Sequence, residues 1–334
     1  MFTLSTAINH KRPKLLWSIL LVMVVLLSGC ETLVKTTLLN AKSYPNNLSN
    51  TQNMMKEFDV QVREHCDPKF GCYEYLFAPS KSASKKFDMN IEAQFTRTPH
   101  TSSLQLKRAD IVPFTGSVVI VHGFRASKEW MLVSAAYFQF LGFDVYLLDL
   151  LGHGNSTAAK GFGVSDSQYV QNFISQKLNT TLPIIAVGNS MGGLVAATLG
   201  KNKVVDAVVL QAPMTQFDDS LLGYFKDTKP WYDFLLSDAH KSKGANAALR
   251  AAGLSVEQTN TLPVISASEI PYLIFASNTD SVSPYLKFAP LKSSQINVLE
   301  INNREHAYMS MIGEQEHSHI VDWLNKTVFL KHEQ

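Results

Sequence analysis

The chain has 334 residues, of which 46% are hydrophobic, 10% aromatic and 17% charged. Thirty Lys and Arg against 28 Asp and Glu give a formal net charge of +2, and there are three cysteines. That apolar content excludes a wholly disordered chain, the length suffices for one large core or two small ones, and three cysteines are too few for a disulfide-built scaffold.

Residues 1–29 carry Lys11, Arg12 and Lys14 and no acid, followed by the apolar run Leu15–Leu27 broken only by Ser18. A basic start, a short apolar core and small residues read as a secretory signal. Thirteen residues are short for a permanent membrane span, which needs about 20, although an uncleaved signal anchor is the alternative. The stretch Leu27-Ser28-Gly29-Cys30 resembles the lipobox of bacterial lipoproteins, in which the signal is cut before the Cys and that Cys is acylated. The resemblance implies lipidation at Cys30 and residence in a bacterial cell envelope, with Glu31 in place of Asp pointing to the outer membrane. Removing 1–29 takes three cations with it, so the remainder stands at −1. No basic run interleaved with aromatics is left to bind nucleic acid.

Residues 30–56, rich in Asn, Ser, Thr and Lys, read as the lipidated Cys and a flexible tether, and 57–334 as the folded domain. Cys66 and Cys72 flank Pro68 and Gly71; a small disulfide loop and two free thiols are both open readings. Tyr73–Ala78 and Met89–Phe95 look like strands separated by polar turns. Ser117–His122 is a β-branched run expected of a strand buried on both faces. A helix over Lys128–Leu141, a strand over Asp144–Leu150 and a helix over Ser165–Leu178 follow. Next come a strand at Pro183–Val187, a small-residue helix at Met191–Leu199 and a strand at Val204–Leu210. Beyond a long insertion, the pattern resumes with strand Tyr272–Ala276, helix Val282–Leu291, strand Ile296–Ile301 and helix Glu314–Leu330. Strand and helix alternating in this way predict an α/β fold with a mostly parallel, doubly covered sheet. The insertion, about 214–268, is too long for a bare loop and reads as a helical cap whose aromatic and Leu side chains could roof a pocket.

Gly188-Asn189-Ser190-Met191-Gly192 sits between an expected strand and an expected helix. The G-x-S-x-G spacing suits a serine thrust out on a tight, strained turn, with glycines leaving room for the backbone to close and a helix N-terminus aimed at the reaction centre. Here the chain resembles the α/β-hydrolase family, in its monoacylglycerol-lipase-like and serine-aminopeptidase-like branch, over about residues 116–330. Val121-His122-Gly123-Phe124 matches the family's H-G oxyanion turn, Asp149–Ser156 its D-x-x-G-H-G-x-S segment, and Ser277–Pro284 its acid loop. Asn189 departs from the His that the branch usually carries, which implies altered specificity.

The resemblance implies Ser190 as nucleophile, His306 as base and Asp280 as the acid that holds the base's tautomer. Rival bases are His317 and His319, both inside the terminal helix pattern, and Glu305 is a rival acid. Backbone N–H groups of Phe124 and Met191 would form the oxyanion hole. His122, Asp149 and His153 read as braces for their loops, and Arg125 as an exposed arginine. No histidine or cysteine spacing suggests a metal and no glycine-rich loop suggests a phosphate cofactor, so none is expected. The leading expectation is a membrane-tethered serine hydrolase of carboxylic esters, acting on small-molecule ester or lipid substrates with acyl chains. An aminopeptidase-like peptidase, with Asp218, Asp219 and Asp233 as partners for a substrate amine, or an acyltransferase, would use the same residues. A non-catalytic binding module on the same fold is the remaining class.

Overall fold

The computed structural model describes residues 29–45, 48–95 and 99–329. The expected signal, Gly29 apart, lies outside these residues, as does Leu330 at the end of the terminal helix. An eight-stranded sheet runs in the order β1 (Gln61–Asp67), β2 (Gly71–Ala78), β6 (Asp144–Leu148), β5 (Ser117–Val121), β7 (Ile184–Asn189), β8 (Ala207–Gln211), β9 (Tyr272–Ser277), β10 (Ile296–Ile301). β6 to β10 and β5 are parallel to one another, while β1 and β2 form an antiparallel edge. A separate hairpin joins β3 (Lys86–Ala93) to β4 (His100–Lys107). Cys66 and Cys72 face each other across β1 and β2 and are disulfide-linked.

The β-branched run that marks β5 has every residue buried, because its side chains alternate between two cores. Val119 and Val121 point to one face, with Phe173 of α4 (Val164–Lys177) and Val195 of α5 (Met191–Lys201). Val118 and Ile120 point to the other, with Tyr137 of α3 (Leu132–Leu141), Trp323 of α10 (Glu314–Leu324) and the apolar face of the β3–β4 hairpin. Small residues let α5 approach the sheet closely: a Cβ on Gly200 would lie 2.4 Å from the Tyr272 hydroxyl, which donates to Ala197 O at 2.9 Å.

Several boundaries differ from the sequence reading. Lys128–Met131 is a separate 3-10 turn ahead of α3, and the expected helix over Val282–Leu291 shrinks to α9 (Tyr285–Phe288) with a 3-10 turn at Ala289–Leu291. Pro284 and Pro290 explain the shortening, since proline cannot donate within a helix. After Leu324 the terminal helix widens into a π-helical turn over Asn325–Phe329. The insertion is built from α6 (Phe217–Thr228), α7 (Asp238–Ala251) and α8 (Thr261–Ser266) with 3-10 turns between them.

The largest correction concerns the expected tether. Residues 29–39 are helical (α1), and α2 spans Leu48–Glu57. Val34 and Leu38, one helical turn apart, are 5% and 6% exposed. Val34 fills a notch on α7 that exists because residue 244 is glycine: a Cβ there would meet Val34 Cβ at 2.4 Å. Two apolar residues at i and i+4 make a stripe that a neighbouring helix can bury, and this outweighs the polar composition around them.

Candidate active site

The parallel strands place their C-terminal ends on one edge, and β5 sits where the chain winds outward in both directions, to β6 and to β7. Open α/β sheets offer a crevice at such a point. The turn after β7 carries Ser190 at φ 52° and ψ −117°, a left-handed conformation that costs a non-glycine residue about 1–3 kcal/mol. The surroundings over-determine it. Ser190 N–H donates to Gln211 O at 3.1 Å, and Ser190 O accepts from Gly193 N and Met214 N, each at 2.9 Å. Two glycines are required sterically. A Cβ on Gly188 would lie 2.4 Å from Gly192 O, and one on Gly192 would lie 2.3 Å from Val121 O.

His306 follows β10 and Asp280 follows β9, so both reach the same edge. His306 Nε2 is 2.9 Å from Ser190 Oγ and His306 Nδ1 is 2.8 Å from Asp280 Oδ2. With Nδ1–H donating to the carboxylate, Nε2 keeps a lone pair for the serine proton. Asp280 is 1% exposed, and its Oδ1 accepts from Val282 N and Ser283 N, each at 2.8 Å. Burial works against a charged His306, but the Asp280 carboxylate, through its charge and its hydrogen bond, and then Asp227 more than offset it, so the imidazole pKa is raised. A hydroxyl, an imidazole and a buried carboxylate in this order can make the hydroxyl a nucleophile.

The three loops are tied to one another. Ser283 Oγ donates to Pro213 O at 2.6 Å, one residue before the Met214 that holds Ser190. Thr279 Oγ1 donates to Arg304 O at 3.2 Å, and Arg304 N donates to Ser277 Oγ at 3.3 Å. The Arg304 guanidinium donates to Glu316 and to Met311 O. None of these braces carries a motif that spacing alone could reveal.

The turn after β5 passes beside Ser190 at Gly123, one residue before Phe124. Gly123 permits the approach, since a Cβ there would meet Ser190 Cβ at 3.0 Å. Neither Phe124 N–H nor Met191 N–H donates to another described residue. His122 is buried and neutral: burial lowers its pKa, Nδ1 donates to Gly123 O at 2.8 Å, and Nε2 accepts from Leu150 N at 3.0 Å. It thereby staples the end of β5 to the end of β6. Asp149, 2% exposed, accepts from Lys128 Nζ at 2.6 Å, Lys128 N at 2.8 Å and Asn155 N at 2.9 Å. His153 is buried, its pKa depressed by burial to about 2, and its ring lies edge-on to Phe124.

The rivals stand apart from this group. His317 lies in α10 and pairs with the Tyr137 hydroxyl at 3.0 Å; His319 is on the same helix. Glu305 precedes His306, whose Nδ1 is taken by Asp280. The insertion acids do not converge on Ser190: Asp233 pairs with Lys241 at 2.5 Å, Asp218 accepts from Gln216 at 2.9 Å, and Asp219, on the first turn of α6, is exposed. The acid that does approach is Asp227, which accepts from Ser281 N at 3.3 Å; sequence reasoning missed it because it lies in the polar last turn of α6.

The cap packs hard on the acid loop: a Cβ on Gly223 would lie 2.1 Å from Ser281 O, and Ser220 Oγ donates to Val282 O at 3.0 Å. Beside this contact opens a cleft of about 870 Å³, lined by Leu222, Trp231, Phe234 and Pro284 and also by the charged Lys226, Lys229, Lys241, Asp233 and Asp238, with Asp280 and Ser281 on its wall. Phe162 and Phe217 pack against Phe124 behind the β5 turn. No group of three His, Cys, Asp or Glu able to hold a metal occurs among the described residues.

Residues 113–261 match the family described as serine aminopeptidase, S33. A phospholipase of Bacillus subtilis, YtpA, is 30% identical over 105 residues, a stretch covering 29% of this chain and 39% of the relative. A solved membrane phospholipase A, titled a bacterial virulence factor, superimposes with a TM-score of 0.55 at 18% identity, over 94% of this chain and 98% of that one. An esterase of Pyrococcus furiosus gives a TM-score of 0.55 at 12% identity, over 85% and 97%.

Proposed function

We propose that this chain, which has the α/β-hydrolase fold, is a lipase- or esterase-like enzyme that hydrolyses carboxylic esters of acyl-chain substrates through Ser190, His306 and Asp280. The observation that carries this reading is the continuous hydrogen-bonded line from Ser190 Oγ through His306 to Asp280. Ser190 Oγ attacks the ester carbonyl as its proton passes to His306 Nε2. The tetrahedral oxyanion accepts from Phe124 and Met191 N–H, each donor worth roughly 2.7–4 kcal/mol in the transition state. The imidazolium, stabilised by Asp280, gives its proton to the leaving alkoxide, and water then cleaves the acyl-enzyme by the same steps in reverse.

Acyl-chain substrates are supported by Leu222, Trp231, Phe234 and Pro284, which share the cleft lining with charged residues, and by its rim. Trp231 and Phe234 are 81% and 80% exposed, with Leu235 and Leu286 exposed nearby; large exposed apolar groups at a cleft mouth suit a lipid surface. The proposal includes membrane tethering by an acylated Cys30 in a bacterial envelope, most simply the outer membrane. Cys30 lies in the first turn of α1, and α1 rests on the cap helix α7, so an anchor there would hold the cap toward the bilayer. Among the described residues no helix is long and apolar enough to cross a membrane.

A chain-length series of p-nitrophenyl esters beside aminoacyl amides tests the reading. Faster turnover of medium or long acyl esters is the expected result, and a preference for aminoacyl amides would replace it with the peptidase reading.

A further inference from the structure

The segment that follows α1 lies across the turn carrying Phe124. Tyr44 N–H donates to Arg125 O at 2.7 Å, and Arg125 Nε donates back to Lys42 O at 3.2 Å. The Arg125 guanidinium stacks 4.2 Å from the centre of the Tyr44 ring. Ser43 Oγ donates to Ala126 O at 2.9 Å and accepts from Gly154 N at 2.8 Å. The Tyr44 hydroxyl is 3.0 Å from that of Tyr224 on α6. Six contacts thus gather the oxyanion turn, the loop after β6 and the cap onto three residues.

Arg125 gives these contacts a purpose. It stands at φ 63°, a left-handed conformation that a side chain disfavours and that persists only where neighbours impose it. Its partners on the segment are the Tyr44 backbone and ring and the Lys42 carbonyl. Phe124, the proposed oxyanion donor, is the adjacent residue, so a relaxation of Arg125 would reorient its N–H.

We propose that residues 42–44 are a strap that sets the oxyanion turn, with Tyr44 as a positioning residue acting through Arg125 on Phe124 N–H. The inference rests on the reading of Ser190 as nucleophile and of Phe124 as an oxyanion donor. The strap is fixed at its other end by α1, through Val34 and Leu38. None of these hydrogen bonds reaches a residue lining the cleft under the cap, so the strap governs the chemical step more than ester binding. Removing one oxyanion donor outright costs about 10²–10³ in kcat; a donor left in place but misdirected costs less.

The test compares wild type, Tyr44→Ala and Tyr44→Phe on p-nitrophenyl butyrate, with phosphonylation rates from a fluorophosphonate probe and a thermal melt of each. Tyr44→Ala is expected to lower kcat about 10- to 100-fold with KM within about twofold, and to slow phosphonylation by a similar factor. Tyr44→Phe, which keeps the ring beneath Arg125, is expected to restore kcat to within about threefold. If Tyr44→Ala does not fold, Ser43→Ala takes its place, with a several-fold loss of kcat expected. Phosphonylation of Tyr44→Ala, or of Ser43→Ala in its place, at the wild-type rate overturns the strap, as does a kcat loss matched by an equal loss of folded protein. A folded wild type that is not phosphonylated overturns the nucleophile reading instead, so the two failures are distinct.

Discussion

Replacing Asp280 by Asn tests the acid's role with little disturbance of packing. Asp280 Oδ1 accepts from Val282 N and Ser283 N, both at 2.8 Å and both buried. Turning the new amide nitrogen toward them would leave two buried donors unpaired, at about 1–3 kcal/mol each. The amide oxygen therefore stays on that side and the amide nitrogen faces His306. Two donors cannot face each other, so the imidazole shifts its proton to Nε2, where it points at Ser190 and leaves no lone pair for the serine proton. A wrong tautomer of this kind costs about 10⁴ in the serine-protease triad, or about 5 kcal/mol at 1.36 kcal/mol per decade. We predict a kcat for p-nitrophenyl butyrate lowered about 10³- to 10⁴-fold, with KM and melting temperature near wild type. Asp280→Ala should instead unfold more readily, because both N–H groups then lose their acceptor. A loss of less than tenfold in Asp280→Asn would refute the reasoning and move attention to Asp227 or Glu305.

Three further outcomes are expected. The raised His306 pKa places the acid limb of kcat/KM above pH 6.5, since only neutral His306 accepts the serine proton; His306 likewise contributes stability that is complete below about 6.5 and lost as pH rises through its folded pKa. A limb below 6.5 would contradict this. Asp149→Ala leaves the buried Lys128 ammonium with Glu129 alone, 3.1 Å away, and deprives Lys128 N–H and Asn155 N–H of their acceptor, at about 1–3 kcal/mol for each donor left unpaired; a urea melt showing a loss below about 1 kcal/mol would deny Asp149 that role. Trp231→Ser with Phe234→Ser should cut hydrolysis of vesicle-borne lysophospholipid at least about tenfold, given about 1.5–3 kcal/mol for each buried large apolar side chain, and leave p-nitrophenyl butyrate turnover unchanged. Equal losses on both substrates would mean that the rim shapes the site itself.

What was legible in the sequence was what physics concentrates in a few adjacent residues. β5 was visible because a strand buried on both faces must be continuously apolar. The Ser190 turn was visible because Gly188 and Gly192 are sterically compelled. What escaped was set by partners distant in sequence. Val34 and Leu38 are only two apolar residues amid Thr, Asn and Lys, and nothing local announces the Gly244 notch that receives Val34. Asp227 and Arg304 look like any surface charge until the cap and the last loop close on the site. By sequence Lys128 reads as part of an ordinary helix, and its burial follows from Asp149, 21 residues away.

The central claim is that Ser190 is an activated nucleophile. Fluorophosphonate labelling of wild type and Ser190→Ala, read by mass spectrometry of the labelled peptide, tests it most directly. The account predicts one label on the peptide containing Ser190 and none on the variant. A folded wild type that stays unlabelled, or a variant that labels as well as wild type, would contradict it.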